Sequence, residues 1–282
     1  VYETVKTGST GHAESIKVFI DLGAYHISQT SVYFTDSHLN PSSPYTDYLA
    51  YYDPHTGNSL FDGGSYTTWN GSTVGQIKWR LDHPAVTALL ESWTAHWLDP
   101  NGDGNPSDGV DGFRLDHVLG DEGWGYNMAW WQHWKTAMQA VNPDVFTFAE
   151  QADWGSHGQD LLSAHDATFT KPFLFTARNA LNTGTAAGLY SEMAATLASL
   201  PAGRTYLGSL GDHDVDRLTT SLGGSTPRSK AAAAVLMLQP FPPVMYFGDE
   251  LGMRGAKANF GSDNNDIPFR EPFMWNAVAG PP

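Results

Sequence analysis

"DGFRLDHV", residues Asp111 to Val118, sets Arg114 and Asp116 two positions apart in an otherwise apolar run. In a strand that spacing turns both side chains to one face and Phe113 and Leu115 to the other. A guanidinium beside a carboxylate keeps the acid ionised and fixes its rotamer, as a carboxylate nucleophile requires. A buried ion pair that only satisfies itself leaves the same pattern. Two more acids follow apolar runs, Glu150 in "DVFTFAE" and Asp214 in "TYLGSLGDHD". Two carboxyls within about 5.5 Å, one ionised and one held protonated, are the machinery of retaining glycoside hydrolysis. The apolar "VFTFA" before Glu150 predicts the protonated partner. A lone strand-end Glu serving as a helix cap or salt-bridge partner is the alternative.

These acids need strands to carry them. Strand-like runs are "IKVFIDL" (Ile16–Leu22), "VDGFRLD", Asp144–Glu150, Ala167–Thr170, Thr205–Asp214 and Pro243–Glu250. Helical stretches lie between them. His83–Leu98 has Pro84 in its first turn and Asp82 as candidate cap. A Trp-rich helix is expected over Trp124–Val141, a short one over Gly158–Ala164, and others over Thr185–Leu200 and Arg228–Gln239. Alternating strands and helices predict a parallel α/β sheet. Asp116 to Glu150 is 34 positions, Glu150 to Asp214 is 64, and Asp214 to Gly248 is 34. One strand–helix unit of about 30–35 residues explains the outer intervals and two explain the middle one. Polar residues ending successive parallel strands converge on the active face of a (β/α)8 TIM barrel. The 95 positions from Asp21 to Asp116 are too long for one unit. The excess, 27–78, rich in Tyr, Ser, Asn, Gly and Asp, is expected to form a small inserted domain. The barrel then takes 1–26 and 79–282.

Composition limits the partners. The 282 residues carry a formal charge of −15, which disfavours nucleic acid or an anionic membrane and suits a neutral ligand. No cysteine is present, so disulfides, thiolate metal sites and cysteine nucleophiles are excluded. No apolar run approaches the roughly 20 residues of a membrane helix.

Taken in order, the motifs resemble glycoside hydrolase family 13, the α-amylase family. "FIDLGAYH", "DGFRLDHV", "FTFAEQ" and "LGSLGDHD" resemble its four conserved regions, and "PPVMYFGDELGM" its eighth-strand segment. The likeness runs from about Ile16 to Trp275 and is nearest to bacterial α-amylase and neopullulanase types. It implies Asp116 as nucleophile, Glu150 as general acid/base and Asp214 as the acid that stabilises an oxocarbenium-like sugar. Arg114 would orient Asp116, His213 and His26 would bind sugar hydroxyls, and Asp21 would stand behind that subsite. The implied substrate is starch or a maltooligosaccharide, and an extracellular or periplasmic location fits a polysaccharide. Transglycosylation, a cyclomaltodextrinase or neopullulanase activity, or an inactive glucan-binding fragment are the alternatives.

The chain departs from the family pattern in places. Tyr25 replaces the Asn that commonly ligates a structural calcium ion. His117 and "VLGDEG" replace the usual Ala and Lys-His pair, so His117 joins the candidate substrate contacts. No cofactor is required for the implied chemistry. Asp99, Asn101 and Asp103 in "DPNGDGNPSD" (Asp99–Asp108) match half of a calcium loop, with Val110 where a bidentate Glu is wanted. A solvated turn is the other reading. Trp130, Trp131 and Trp134 are expected in the core, whereas Tyr45, Tyr48, Tyr51, Tyr52, Trp69 and Trp154 are candidate sugar platforms. The first strand matches the family's third, so strands one and two are expected from the rest of a longer chain or from a partner segment.

Overall fold

The computed structural model describes residues 11–67, 72–151, 153–259, 263–273 and 275. They form two compact units, one of 11–65, 74–151 and 160–168, the other of 66–67, 72–73, 153–159 and 169–275. Trp69 lies outside the described residues. Among these residues no helix is long and apolar enough to cross a membrane.

β1 (Phe19–Leu22) is followed by a three-stranded sheet of β2 (His26–Ser28), β3 (Gly63–Thr67) and β4 (Thr73–Lys78), in the order β2-β4-β3. β2 and β4 are antiparallel, with His26 opposite Lys78. A short helix α1 (Val32–Ser37) lies between β2 and β3, so the inserted segment holds more regular structure than its composition predicts. Helices α2 (Pro84–Leu98) and α3 (Met128–Val141) flank β5 (Gly112–Val118) in the chain, followed by β6 (Phe146–Gln151) and β7 (Ala167–Phe169).

β1 pairs with β5, β5 with β6 and β6 with β7, all parallel. The register sets Asp21 beside Arg114 and Arg114 beside Phe148, so these three share one face. On the opposite face Phe113, Leu115, Thr147 and Ala149 are buried. Gly112 is required opposite Phe146 of β6, because a Cβ there would collide with the Phe146 carbonyl.

Helix boundaries correct several expectations. The side chain of Asp82 does not cap α2; it pairs with Arg80 at 2.9 Å, and His83 occupies the cap position. α3 starts at Met128 rather than Trp124 because Gly123, Trp124 and Gly125 all have positive φ (76°, 53° and 82°). Asn127 then caps the helix by accepting from the Trp130 N–H. Trp131 and Trp134 are fully buried and Trp130 nearly so, as the core reading expects. Two of the three indole N–H groups are satisfied: Trp134 Nε1 donates to Thr94 at 3.1 Å and Trp130 Nε1 to Thr87 at 3.0 Å.

The second unit contains a helix the sequence reading passed over, α4 (Lys171–Thr183). Pro172 lies in its first turn, Gly184 closes it at φ 75°, and Phe173, Leu174, Ala177 and Arg178 are buried. α5 (Ala187–Ala198) follows, then β8 (Thr205–Ser209), α6 (Leu218–Ser221), α7 (Thr226–Leu238) and β9 (Pro243–Val244). β8 and β9 are parallel, Gly208 opposite Pro243. β9 is much shorter than the strand expected over Pro243–Glu250. Gly248 at φ 87° turns the chain into a 3-10 turn at Asp249–Leu251.

Candidate active site

The central feature of the first unit is one guanidinium shared by three carboxylates. Arg114 Nη1 donates to both oxygens of Asp21 and to Asp116 Oδ1, each at 2.8 Å, while Nη2 lies 3.1 Å from Glu150 Oε1. Burial works against the guanidinium's charge, but the bonds and charges of Asp21, Glu150 and Asp116 outweigh it and raise its pKa further. Because both are held by one planar fork, the bonded oxygens of Asp116 and Glu150 lie within about 8 Å of each other. Two carboxyls at that range can flank a single glycosidic bond.

A break in the ladder completes the arrangement. The β5–β6 register shifts between Leu115 and Val118, and His117 adopts φ 52°. A left-handed conformation costs a non-glycine residue roughly 1–2 kcal/mol and persists only where neighbours enforce it. Here it aims the His117 N–H at Glu150 Oε2, 2.9 Å away. The Tyr126 hydroxyl donates to the His117 carbonyl at 2.6 Å, and the Tyr25 ring lies 4.3 Å from the imidazole. Glu150 thus sits among donors rather than in the apolar surroundings that "VFTFA" predicts. Phe146 and Phe148, on its face of β6, pack edge-on against Phe19 at 5.9 and 5.6 Å instead.

Two histidines near Arg114, His26 and His117, are shifted towards the neutral form. Burial lowers the pKa of His26 against the pull of Asp116, and burial lowers that of His117 against Asp116 and Glu122. Nδ1 of His26 is buried with no hydrogen-bond partner among the described residues. Asp21, His26, Arg114, Asp116, His117 and Glu150 therefore share one neighbourhood within the first unit.

Asp214 and His213 belong to the second unit, on the segment after β8. The Asp214 N–H donates to Asp212 Oδ1 at 2.8 Å, its Oδ1 accepts from Arg270 Nη2 at 2.8 Å, and its Oδ2 lies 3.6 Å from His213 Nε2. Arg270 Nε also donates to the His213 carbonyl at 2.6 Å. Sequence reasoning missed Arg270, and nothing local to "PFREPF" marks it. Lys171, buried at the start of α4, reaches Asp212 at 2.6 Å and lies 4.4 Å over the Trp154 ring.

Among the sugar-platform candidates, Tyr51 is excluded. It is buried and bonds Ser37 at 2.8 Å, so it is a core residue. Tyr45 and Tyr48 cluster with Tyr33 at 4.9 and 6.2 Å. Tyr52 and Trp154 are exposed residues, at 62% and 38%.

In the Asp99–Asp108 loop the carboxylates close Asx turns. Asp99 accepts from Gly102 and Gly104 N–H, Asp103 accepts from Asn105 N–H, and Val110 is buried without an oxygen to offer. This is half a calcium site at best. At Tyr25 the fit fails. Its hydroxyl donates to Glu122 at 3.2 Å, and the Lys78 ammonium stands 4.9 Å over its ring and 3.3 Å from Asp62.

Parallel α/β architecture with a guanidinium-linked carboxylate cluster towards the C-terminal ends of β1, β5 and β6 places the chain in the barrel-enzyme class. The comparisons agree. The family sequence profile described as "Alpha amylase, catalytic domain" matches residues 6–280. Alpha-amylase 3 of Dictyoglomus thermophilum is 26% identical over 275 residues, covering 94% of this chain and 51% of that protein. Neopullulanase 2 of Thermoactinomyces vulgaris is 24% identical over 271 residues, covering 94% of this chain and 42% of that protein. The crystal structure of an α-amylase from H. orenii superposes with a TM-score of 0.78 at 22% identity, over 96% of this chain and 56% of that one. The chain belongs to the α-amylase family and carries part of its catalytic (β/α)8 barrel. It spans about half the length, or less, of the relatives it matches.

Proposed function

We propose that this chain is the catalytic portion of a retaining α-glucan hydrolase acting on starch or maltooligosaccharides. The observation that carries the proposal is the Arg114 fork, which holds Asp116 and Glu150 on one face with Glu150 also gripped by the His117 N–H. Asp116, held by Arg114, attacks the anomeric carbon. Glu150 gives its proton to the departing glycosidic oxygen, and the resulting carboxylate then takes a proton from the water that releases the sugar. Neutral His26 can donate to or accept from a sugar hydroxyl, a contact an imidazolium could make only as donor. Asp214 and His213 take the roles their motif implies, stabilising the charged sugar and binding a hydroxyl. None of these steps needs a metal or a cofactor.

An acidic chain is suited to an uncharged polysaccharide, and such a substrate favours action outside the cytoplasm. The test is the anomeric signal of freshly released product, followed by proton NMR during digestion of maltooligosaccharide. The α-anomer is expected to appear first and the β-anomer only by later mutarotation. Initial β-anomer would mean inversion and would end the nucleophile assignment. Products longer than the substrate would turn the reading to transglycosylation by the same residues.

A further inference from the structure

The strained His117 peptide needs something to hold it, and the contacts lead outward to a cation the catalytic reading does not use. Lys78 is the last residue of β4, and its side chain is only 17% exposed. Its ammonium lies 3.3 Å from Asp62, 3.6 Å from Glu122 and 4.9 Å over the face of Tyr25. Tyr25 donates its hydroxyl to Glu122 and packs its ring on the His117 imidazole. Asp62 is held in addition by Trp124 Nε1 at 2.9 Å, from the run of positive φ just before Gly125. The line Lys78–Tyr25–His117–Glu150 therefore runs from the inserted sheet to the candidate acid/base through direct contacts.

We propose that Lys78 is a positioning residue for Glu150, a resident ammonium doing at this junction what a bound divalent cation would otherwise do. The inference rests on the assignment of Glu150 as general acid/base. The ammonium neutralises two acids, Asp62 and Glu122, that would otherwise repel across the Tyr25 ring. With the cation gone, Glu122 and Asp62 separate and Tyr25 loses its cation–π contact. The His117 peptide then keeps φ 52° only through the Tyr126 hydrogen bond, and its N–H is held less firmly on Glu150 Oε2. A calcium ion needs six to eight oxygens, and at this place it would have to displace a charge already seated between Asp62 and Glu122.

The experiment compares two substrates in the full chain. Maltotetraose needs its leaving group protonated, whereas α-maltosyl fluoride departs as fluoride without a proton. Lys78→Met is expected to slow maltotetraose hydrolysis by about ten-fold or more, and the first-turnover release of fluoride, which precedes the base-assisted step, by less than about three-fold. Lys78→Arg, which keeps a cation over the ring, should restore most of the ratio. The ratio of the two rates does not depend on how much protein is folded. Glu122→Gln, which keeps the ammonium but loosens its hold, should move the ratio the same way by less. Equal losses on both substrates, or no loss on either, would overturn the role of Lys78 alone. A wild type inactive on both substrates would overturn the hydrolase reading with it.

Discussion

Replacing Asp116 by Asn is expected to cut turnover of maltooligosaccharides by at least about 10⁴-fold while the chain remains folded. The amide is nearly the same shape, and its oxygen can still accept from Arg114 Nη1, which now bonds Asp116 at 2.8 Å. What it lacks is a nucleophilic oxygen, so the covalent step has no attacking atom. The exchange also lowers by one the excess negative charge around Arg114, where three carboxylates face a single guanidinium. Stability should therefore hold or rise slightly. Reducing-sugar release measured beside a thermal melt checks both halves. Activity within ten-fold of wild type would remove Asp116 from the chemistry.

The second large effect belongs to Arg114. Its two terminal nitrogens are divided, one serving Asp21 and Asp116 and the other reaching Glu150. Lysine offers a point charge with no fork, so Arg114→Lys keeps the charge but cannot hold both carboxylates. A fall in kcat of roughly 10²–10³-fold is expected, with KM changed far less, because orientation at the reacting centre is what is lost. Arg114→Met removes the charge as well and leaves three carboxylates facing one another. Breaking a largely buried ion cluster costs roughly 3–5 kcal/mol, and the lower figure applies here because Asp21 is half exposed. Urea unfolding of the two variants separates the effects: Lys should lose activity with modest destabilisation, and Met should lose both.

Much of this site could be read in the sequence because strand alternation is a strict rule. Period two in "GFRLD" set Arg114 and Asp116 together, and the recurrence of acids at about one strand–helix unit put Glu150 on the neighbouring strand. Alternation also explains what was missed. It sends His117 to the opposite face from Asp116, and only the register shift after Leu115 turns its N–H towards Glu150. A bulge of that kind depends on Tyr25 and Tyr126, residues distant in sequence or beyond the strand, so no local pattern announces it. The same holds for Lys78 and Arg270, whose partners come from other segments. The start of α3 failed for a different reason. Trp124 fits a helical apolar period, but the flanking glycines let the backbone take a left-handed turn that hydrophobic spacing cannot express. Similarly, "PVMYFGDE" has the composition of a long strand, yet only Pro243–Val244 pairs, and the chain turns at Gly248.

Finding the covalent bond itself is the most direct test of the paired roles of Asp116 and Glu150. A fluorinated maltosyl fluoride that forms a glycosyl-enzyme faster than it releases it, incubated with Glu150→Gln and followed by proteolysis and mass spectrometry, should leave the sugar on the peptide containing Asp116. Sugar attached to any other residue, or steady consumption of the fluoride by wild type with no adduct and a β-configured product, would contradict it.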